Sequence, residues 1–361
     1  MKKEINNIVV FTNTLNKGGA ETQAVELAKV LSDRYKVWLV IFYGNQINLE
    51  LISRLDGYLV NIVHFSGSKV KCVFEFINLI QKEKIDCIYS FLATTNLYAG
   101  VLGRFCGVRY IIGGIRNSSY KGVKLLIQRA LHNSFMTTTI SNNYSAIEPL
   151  SRAGFKESKF NVIHNVFPAP MKEYSRVDSE EFIIITVARF NPQKDYETSL
   201  KSVALLRAKY PDVEIKYLII GFGSQEAEIR QMVTYLKLDD IVEIKVNPNN
   251  IFENLVNSDI YLSTSLFEGT SNSILEAMYA GLPVVATDVG DNSYMVKEQN
   301  GFLTEIKDVK TISEKLALLL QDDVLRKDMG KNSRTIVEDD FSLSAFAQNN
   351  FDLLNRLIDE K

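Results

Sequence analysis

Residues 260–286, IYLSTSLFEGTSNSILEAMYAGLPVVA, decide the fold. Ile260 to Ser263 is a short apolar run, and so is Val284 to Ala286. Between them lie a small polar stretch and a helical segment that Gly281 and Pro283 end. Strand, helix and strand in that order form a crossover between parallel strands. Ser271 or Ser273 can cap the helix. Glu268 then falls in the loop before the helix and Glu276 on the helix itself.

The same rhythm runs outward in both directions. Toward the N-terminus, Phe182 to Val187, Tyr217 to Ile220 and Val242 to Val246 read as strands, with amphipathic helices between them. Pro168, Pro170 and the polar run from Lys172 to Glu180 break it. Before the break, Ile8 to Phe11, Val37 to Phe42, Ile85 to Phe91 and Tyr110 to Ile112 are further buried strands. Ala24, Leu27, Ala28 and Leu31 mark one helix face after the first of them. The reading is α/β, with two Rossmann-like, doubly wound parallel-sheet domains at 1–170 and 171–341. A last helix, 342–361, is spaced by Phe346, Phe351, Leu354 and Leu357. No fixed-period repeat is present, which excludes a solenoid.

With 361 residues, 46% of them hydrophobic, the chain can bury two cores. No apolar run is long enough for a spanning helix, and the start, Met1-Lys2-Lys3-Glu4, lacks a secretory pattern. Cys72, Cys87 and Cys106 are scattered, which suits a reducing compartment and not a zinc site. The expected location is therefore cytoplasmic. The net charge of −2 hides a polarity: residues 1–170 carry +9 and the remainder −11. Between Cys87 and Ile147 lie Arg104, Arg109, Arg116, Lys121, Lys124 and Arg129, with no Asp or Glu. Such a stretch suits an anionic membrane, a nucleic acid or a phosphorylated ligand, or is simply a solvated face. Val123, Leu125, Leu126, Ile127, Ala130 and Leu131 lie beside Lys121, Lys124 and Arg129. They fit a helix lying in a membrane interface, or one packed on the sheet.

Four segments are candidate ligand sites. Backbone N–H groups of Gly269, Thr270, Ser271 and Asn272 lie at the positive end of a helix, flanked by Glu268 and Glu276. The bland alternative is a capping box of Ser273 and Glu276, with Glu268 a loop charge. Arg189 and Lys194 follow the strand that ends at Val187, at the sheet edge where open α/β folds bind ligands. Alone they read equally well as two surface cations. Gly18-Gly19 and Gly221-Phe222-Gly223 each follow a strand and allow close backbone approach, or serve packing only. No Asp-x-Asp pair occurs, so the usual metal–diphosphate clamp is missing and no metal is expected. His64, His132 and His164 are isolated and read as structural.

Taken in order, these segments resemble the family 4 retaining glycosyltransferases, which have the GT-B fold of two such domains facing a cleft. Val187 to Lys194 looks like that family's diphosphate loop, Gly221 to Gly223 its glycine turn, and Glu268 to Glu276 its paired-glutamate block. Gly18 to Glu21 looks like its N-terminal glycine loop. The resemblance implies a nucleoside-diphosphate sugar as co-substrate, held by the second domain. Arg189 and Lys194 would neutralise the diphosphate, Glu276 would bind the ribose, and Glu268 the donor sugar. Gly221 and Gly223 would stand beside the donor, and the carbonyl and amide of the Lys245 to Asn247 segment, with Val246 and Asn247 as donor-binding residues, would meet the base. Gly18 and Gly19 would lie near the phosphates, with the acceptor in the first domain and the last helix crossing back to it. The chain departs from the family where a His is frequent near Ser90-Phe91, leaving Thr94, Thr95 or Asn96 to line the cleft. It departs again at Gly290-Asp291-Asn292, where a Gly-Gly pair is usual. The expected activity is transfer of a hexose or N-acetylhexosamine, from a UDP-sugar, with retention. The acceptor is a glycan, on a lipid-linked precursor of bacterial surface polysaccharide. A soluble glycoside product and a non-catalytic sugar-nucleotide-binding module are the alternatives. No nucleic-acid partner is expected.

Overall fold

A computed structural model describes residues 4–16, 18–44, 47–115, 120–167, 174–177, 181–248 and 250–360. The chain divides into two compact units, Met1–Val166 with Leu343–Lys361, and Phe167–Ser342. The proline-bearing linker at 168–170 lies outside the described residues.

The first unit is built on β1 (Asn7–Thr12), β2 (Lys36–Ile41), β3 (Val60–His64), β4 (Cys87–Ser90), β5 (Tyr110–Ile115), β6 (Thr138–Ser141) and β7 (Phe160–Val162). Their order across the sheet is β3-β2-β1-β4-β5-β6-β7, and every pairing is parallel. The central strand β1 is buried on both faces, which is why Ile8 to Phe11 is uniformly apolar. Helix Leu343–Asp359 belongs to this unit. It buries Phe346, Phe351, Leu353, Leu354 and Leu357 in the same core as Leu27 and Leu31. Five such side chains contribute about 1.5–3 kcal/mol each, so the unit depends on chain from the far end of the sequence. All three cysteines are free thiols.

The second unit has β8 (Phe182–Val187), β9 (Ile215–Gly221), β10 (Val242–Val246), β11 (Ile260–Ser263), β12 (Val284–Thr287) and β13 (Gly301–Thr304). The order is β10-β9-β8-β11-β12-β13, again parallel throughout. Strand order reverses between β1 and β4 in one unit and between β8 and β11 in the other. At such switch points adjacent loops diverge to opposite faces and leave a crevice at the carboxyl ends of the strands. Among the described residues, no helix is long and apolar enough to cross a membrane.

Candidate functional site

The crevice of the second unit lies between the loop after β8 and the loop after β11. Its first wall is a seated backbone. Ala188 N donates to Ile220 O at 3.0 Å, Phe190 N to Phe222 O at 2.8 Å, and Gln225 N to Phe190 O at 3.0 Å. A Cβ on Gly221 would lie 1.9 Å from Ala188 O, and one on Gly223 would lie 2.4 Å from Phe190 O. Gly223 also has a φ of +151°. Both glycines are therefore required by the approach of the two loops, whatever binds beside them. The approach leaves Arg189 exposed, its carbonyl accepting from Asn191 N at 3.0 Å and its guanidinium without a hydrogen bond or ion pair to a described residue.

Lys194 is held differently. Its ammonium is paired with Glu268 Oε1, and the two side chains are only 13% and 9% exposed. Gln193 Nε2 donates to Phe267 O at 2.7 Å and reaches Glu268 Oε2 at 3.4 Å. Leu266 N donates to Gln193 O, and Thr264 Oγ1 to the carbonyls of Lys194 and Asp195. The two loops are thus zipped together, and Glu268 is not a solvated loop charge. Gln193 and Thr264 carry no sequence signal, because isolated polar residues in loops are ordinary.

Helix Asn272–Tyr279 starts the second wall. Its N-cap is Ser271, whose side chain does not cap; the Ser271 and Ser273 hydroxyls lie 3.3 Å apart instead. Ser273 is already inside the first turn, so the capping box of Ser273 and Glu276 does not form. The start of the helix is thus left without a side-chain cap from Ser271, and Thr270 to Ser273 line the crevice. Burial pushes the Glu276 carboxyl up to about 7. Gly290 takes a φ of +59°, a Cβ on it would lie 2.3 Å from Glu268 O, and Asp291 N donates to Gly269 O at 3.2 Å. The Gly-Asp-Asn departure therefore still builds a shelf under the Glu268 loop.

The resulting pocket is about 390 Å³. Arg189, Lys194, Gly221, Asn247, Glu268, Thr270, Ser271, Asn272 and Glu276 line it, whereas Gly223, Val246 and Gly269 do not. Val246 points to solvent. Asn247 N donates to Gly221 O at 3.2 Å, which continues the pairing of β10 with β9, so that amide is not available to a base.

In the first unit, Gly18 is the N-cap of helix Gly19–Ser32 and makes no side-chain cap. A Cβ on Gly19 would meet nothing within 4 Å, so packing does not require that glycine. Beside Gly18 stands the Glu21 carboxylate, which accepts from Thr14 Oγ1. Lys17 and Arg116 lie outside the described residues. Asn96 does not line a surface. It is 3% exposed, and its side chain bonds Ser90 Oγ, both backbone atoms of Gly114, and Gln128. Thr95 is equally buried and bonds the Leu92 backbone. Arg129 is half-buried, with Nη1 donating to Ala153 O at 3.1 Å, so it is a packing residue and not a rim cation. Lys121 and Lys124 are exposed. The void behind Ser90 and Gly114 is about 30 Å³, room for a water and not for a sugar ring. His132 bonds Thr139 Oγ1 and Lys156 O inside the fold, which is a structural role.

Residues 170–336 match the model of the family described as "Glycosyl transferases group 1". An uncharacterized glycosyltransferase of Haemophilus influenzae is 23% identical, over 91% of this chain and 94% of its own. The Campylobacter jejuni enzyme "N-acetylgalactosamine-N,N'-diacetylbacillosaminyl-diphospho-undecaprenol 4-alpha-N-acetylgalactosaminyltransferase" is 22% identical, over 90% of this chain and 93% of its own. Among solved structures, Anabaena HepE in complex with UDP superposes with a TM-score of 0.80 at 17% identity, covering 98% of this chain and all of that one. Over residues 170–336 the chain matches the glycosyl transferases of group 1, and its fold is the GT-B fold of these solved structures.

Proposed function

We propose that the protein is a family 4 retaining enzyme. In this reading it moves a hexose or N-acetylhexosamine from a UDP-sugar to a glycan acceptor on a lipid-linked precursor of surface polysaccharide, without a metal. The observation that carries the donor half is the second-unit pocket. It sets the exposed Arg189, Lys194, the N-terminus of helix Asn272–Tyr279 and Glu276 around one crevice. In the reaction the C1–O bond to the diphosphate breaks and its electron pair goes to the phosphate oxygen. Arg189, Lys194 and the N–H groups of the 269–272 turn stabilise that charge. The acceptor hydroxyl oxygen forms the new bond to C1 on the same face, and the departing phosphate takes its proton. Lys194 must exchange Glu268 for a phosphate oxygen, which releases Glu268 toward the sugar hydroxyls. Glu276 accepts from the ribose.

The acceptor half rests on the helix Gly122–Ala130. Val123, Leu126 and Ile127 are exposed on it, Val123 at 71%, beside exposed Lys121 and Lys124. The neighbouring helix Ala93–Phe105 adds Leu97, Val101 and Phe105, the last at 80%. Apolar side chains under cations, in a stretch without carboxylates, suit an anionic bilayer and support a peripheral position at the cytoplasmic face. The name of the Campylobacter enzyme, which includes an undecaprenol diphosphate, supports a lipid-linked acceptor.

The test is a thermal-shift panel of nucleotide sugars followed by transfer assays. A ligand at about 100 times its Kd adds roughly 2.7 kcal/mol of stability. UDP-sugars should give the largest shift; a panel in which no nucleotide sugar stabilises the protein would remove the reading.

A further inference from the structure

Phe222 is held out of the core by the backbone on both sides of it. Gly221 and Gly223 each abut the Ala188–Phe190 segment so closely that neither tolerates a Cβ. Phe222 O accepts from Phe190 N at 2.8 Å. Of the two phenylalanines at this crossing, Phe190 is fully buried and Phe222 is 51% exposed. No other ring among the described residues packs on Phe222. Its side chain forms one end of the 390 Å³ pocket, together with Asn247, Pro248 and Ile251. The cations, the helix N-terminus and Glu276 occupy the rest of that wall.

We propose that Phe222 is the stacking platform for the base of the donor nucleotide. The inference rests on the nucleotide-sugar reading of the pocket. Groups for the diphosphate and the ribose are already proposed there, and what remains is an apolar end with an exposed ring. A planar base gains most from a flat aromatic face that is presented with little freedom to lose on binding. The two glycine contacts hold the backbone from which the ring projects, so only the side-chain torsions remain to be ordered. Stacking is tolerant of base identity. Phe222 therefore separates nucleotides from bare diphosphate, and leaves discrimination among bases to edge contacts such as the Asn247 side chain.

The experiment is calorimetry on the full chain with two probes, UDP and inorganic pyrophosphate, for wild type, Phe222→Ala and Phe222→Tyr. Phe222→Ala should weaken UDP about tenfold or more and leave pyrophosphate unchanged, and Phe222→Tyr should stay within about twofold of wild type for both. An unchanged Tm in Phe222→Ala, expected for an exposed ring, separates lost stacking from lost folding. Equal UDP affinity in wild type and Phe222→Ala overturns the stacking role and leaves the nucleotide reading standing. A parallel loss of pyrophosphate overturns it too, because the ring would then be acting through the Arg189 loop. Wild type that binds pyrophosphate but neither UDP, GDP nor ADP overturns the nucleotide reading, and the platform with it.

Discussion

Replacing Lys194 by Met separates its pairing with Glu268 from the leaving-group role proposed for the same ammonium. Lys194 neutralises Glu268 in the donor-free protein, and both side chains are nearly buried, at 13% and 9% exposure. Breaking such a pair by removing one partner costs about 3–5 kcal/mol, because a buried charge is left alone. Gln193 Nε2, at 3.4 Å from Glu268, softens this, so the lower end of that range applies. At about 2–4 °C per kcal/mol for a unit of this size, Lys194→Met should lower Tm by roughly 10 °C. The same substitution removes a donor to the leaving group, worth about 10²–10³ in kcat.

The double variant Lys194→Met/Glu268→Gln tells the two roles apart. It removes the stranded carboxylate, so most of the lost Tm should return. The leaving group still lacks its cation, so kcat should stay low. Calorimetric unfolding and single-turnover UDP release measure the two quantities on one preparation. Recovery of kcat together with Tm would falsify the leaving-group assignment and reduce Lys194 to a counter-ion for Glu268. Glu268→Gln alone frees Lys194 for phosphate, so it should hold or tighten UDP while lowering turnover.

Glu276 predicts a pH dependence. Its folded-state pKa of about 7 exceeds the ordinary 4.5, so folding takes up a proton in that window. The stability contribution is complete below the unfolded value and lost as pH rises through the folded one, at most about 3 kcal/mol in all. Glu276→Gln should flatten the stability profile between those limits and weaken UDP; a profile unchanged by the substitution assigns the slope elsewhere. Gly221→Ala puts a methyl 1.9 Å from Ala188 O and should destabilise by about 1–3 kcal/mol with loss of donor binding. Gly19→Ala meets nothing within 4 Å and should leave stability within about 0.5 kcal/mol of wild type, with little change in Tm, while raising donor KM. A Tm loss as large as that of Gly221→Ala would show that the Gly18-Gly19 turn is there for packing. Excess EDTA should leave most activity intact, and complete loss restored by Mg²⁺ or Mn²⁺ would contradict a leaving group held by Arg189, Lys194 and the helix end. With liposomes, binding should need anionic lipid, fade with salt, and fall on charge reversal at Lys121 and Lys124; protein left in the supernatant at low salt points to a soluble acceptor.

Sequence reading finds what burial on both faces makes obvious. β1, β2, β8, β11 and β12 are central or nearly so, and their apolar runs mark them. β3 and β13 are edge strands, and β3 is largely exposed at Asn61, Ile62 and His64. β7 is a three-residue edge and β6 is Thr-Thr-Ile-Ser, so neither carries an apolar run. In the site, ordered motifs make Arg189, Lys194, Glu268 and Glu276 legible. What the motifs do not contain is pairing. The seizure of Lys194 by Glu268, the zipping of two loops by Gln193, and the use of the Asn247 amide by Gly221 depend on contacts between distant segments. Asn96 is the same lesson in the first unit: a polar residue after a strand reads as a site, but here it satisfies the backbone of Gly114 across 18 positions.

The helix Gly122–Ala130 shows why periodicity alone does not tell inside from outside. Val123, Leu126, Ile127 and Ala130 have the spacing of a core face. The face that packs is centred instead on Gln128, 4% exposed, whose side chain donates to Ala93 O and accepts from Asn96. Leu125 and the following Leu131 turn inward with it. Hydrogen bonds to the neighbouring helix thus hold the polar residue in, and the apolar ones are left in water. That arrangement loses hydrophobic stabilisation at about 25 cal/mol per Å² for as long as the face stays wet. On the proposed reading a bilayer would recover that loss where a soluble acceptor would not, and exposed Lys121 and Lys124 would limit the face to anionic ones. Arg129 is excluded from the cationic rim by its bond to Ala153 O, so the proposed attachment would depend on apolar insertion as well as charge. High salt should therefore weaken vesicle binding without abolishing it, and Leu126→Ser with Ile127→Ser should remove the salt-resistant remainder. Complete release of the wild-type protein by salt would mean that the apolar face never enters the bilayer.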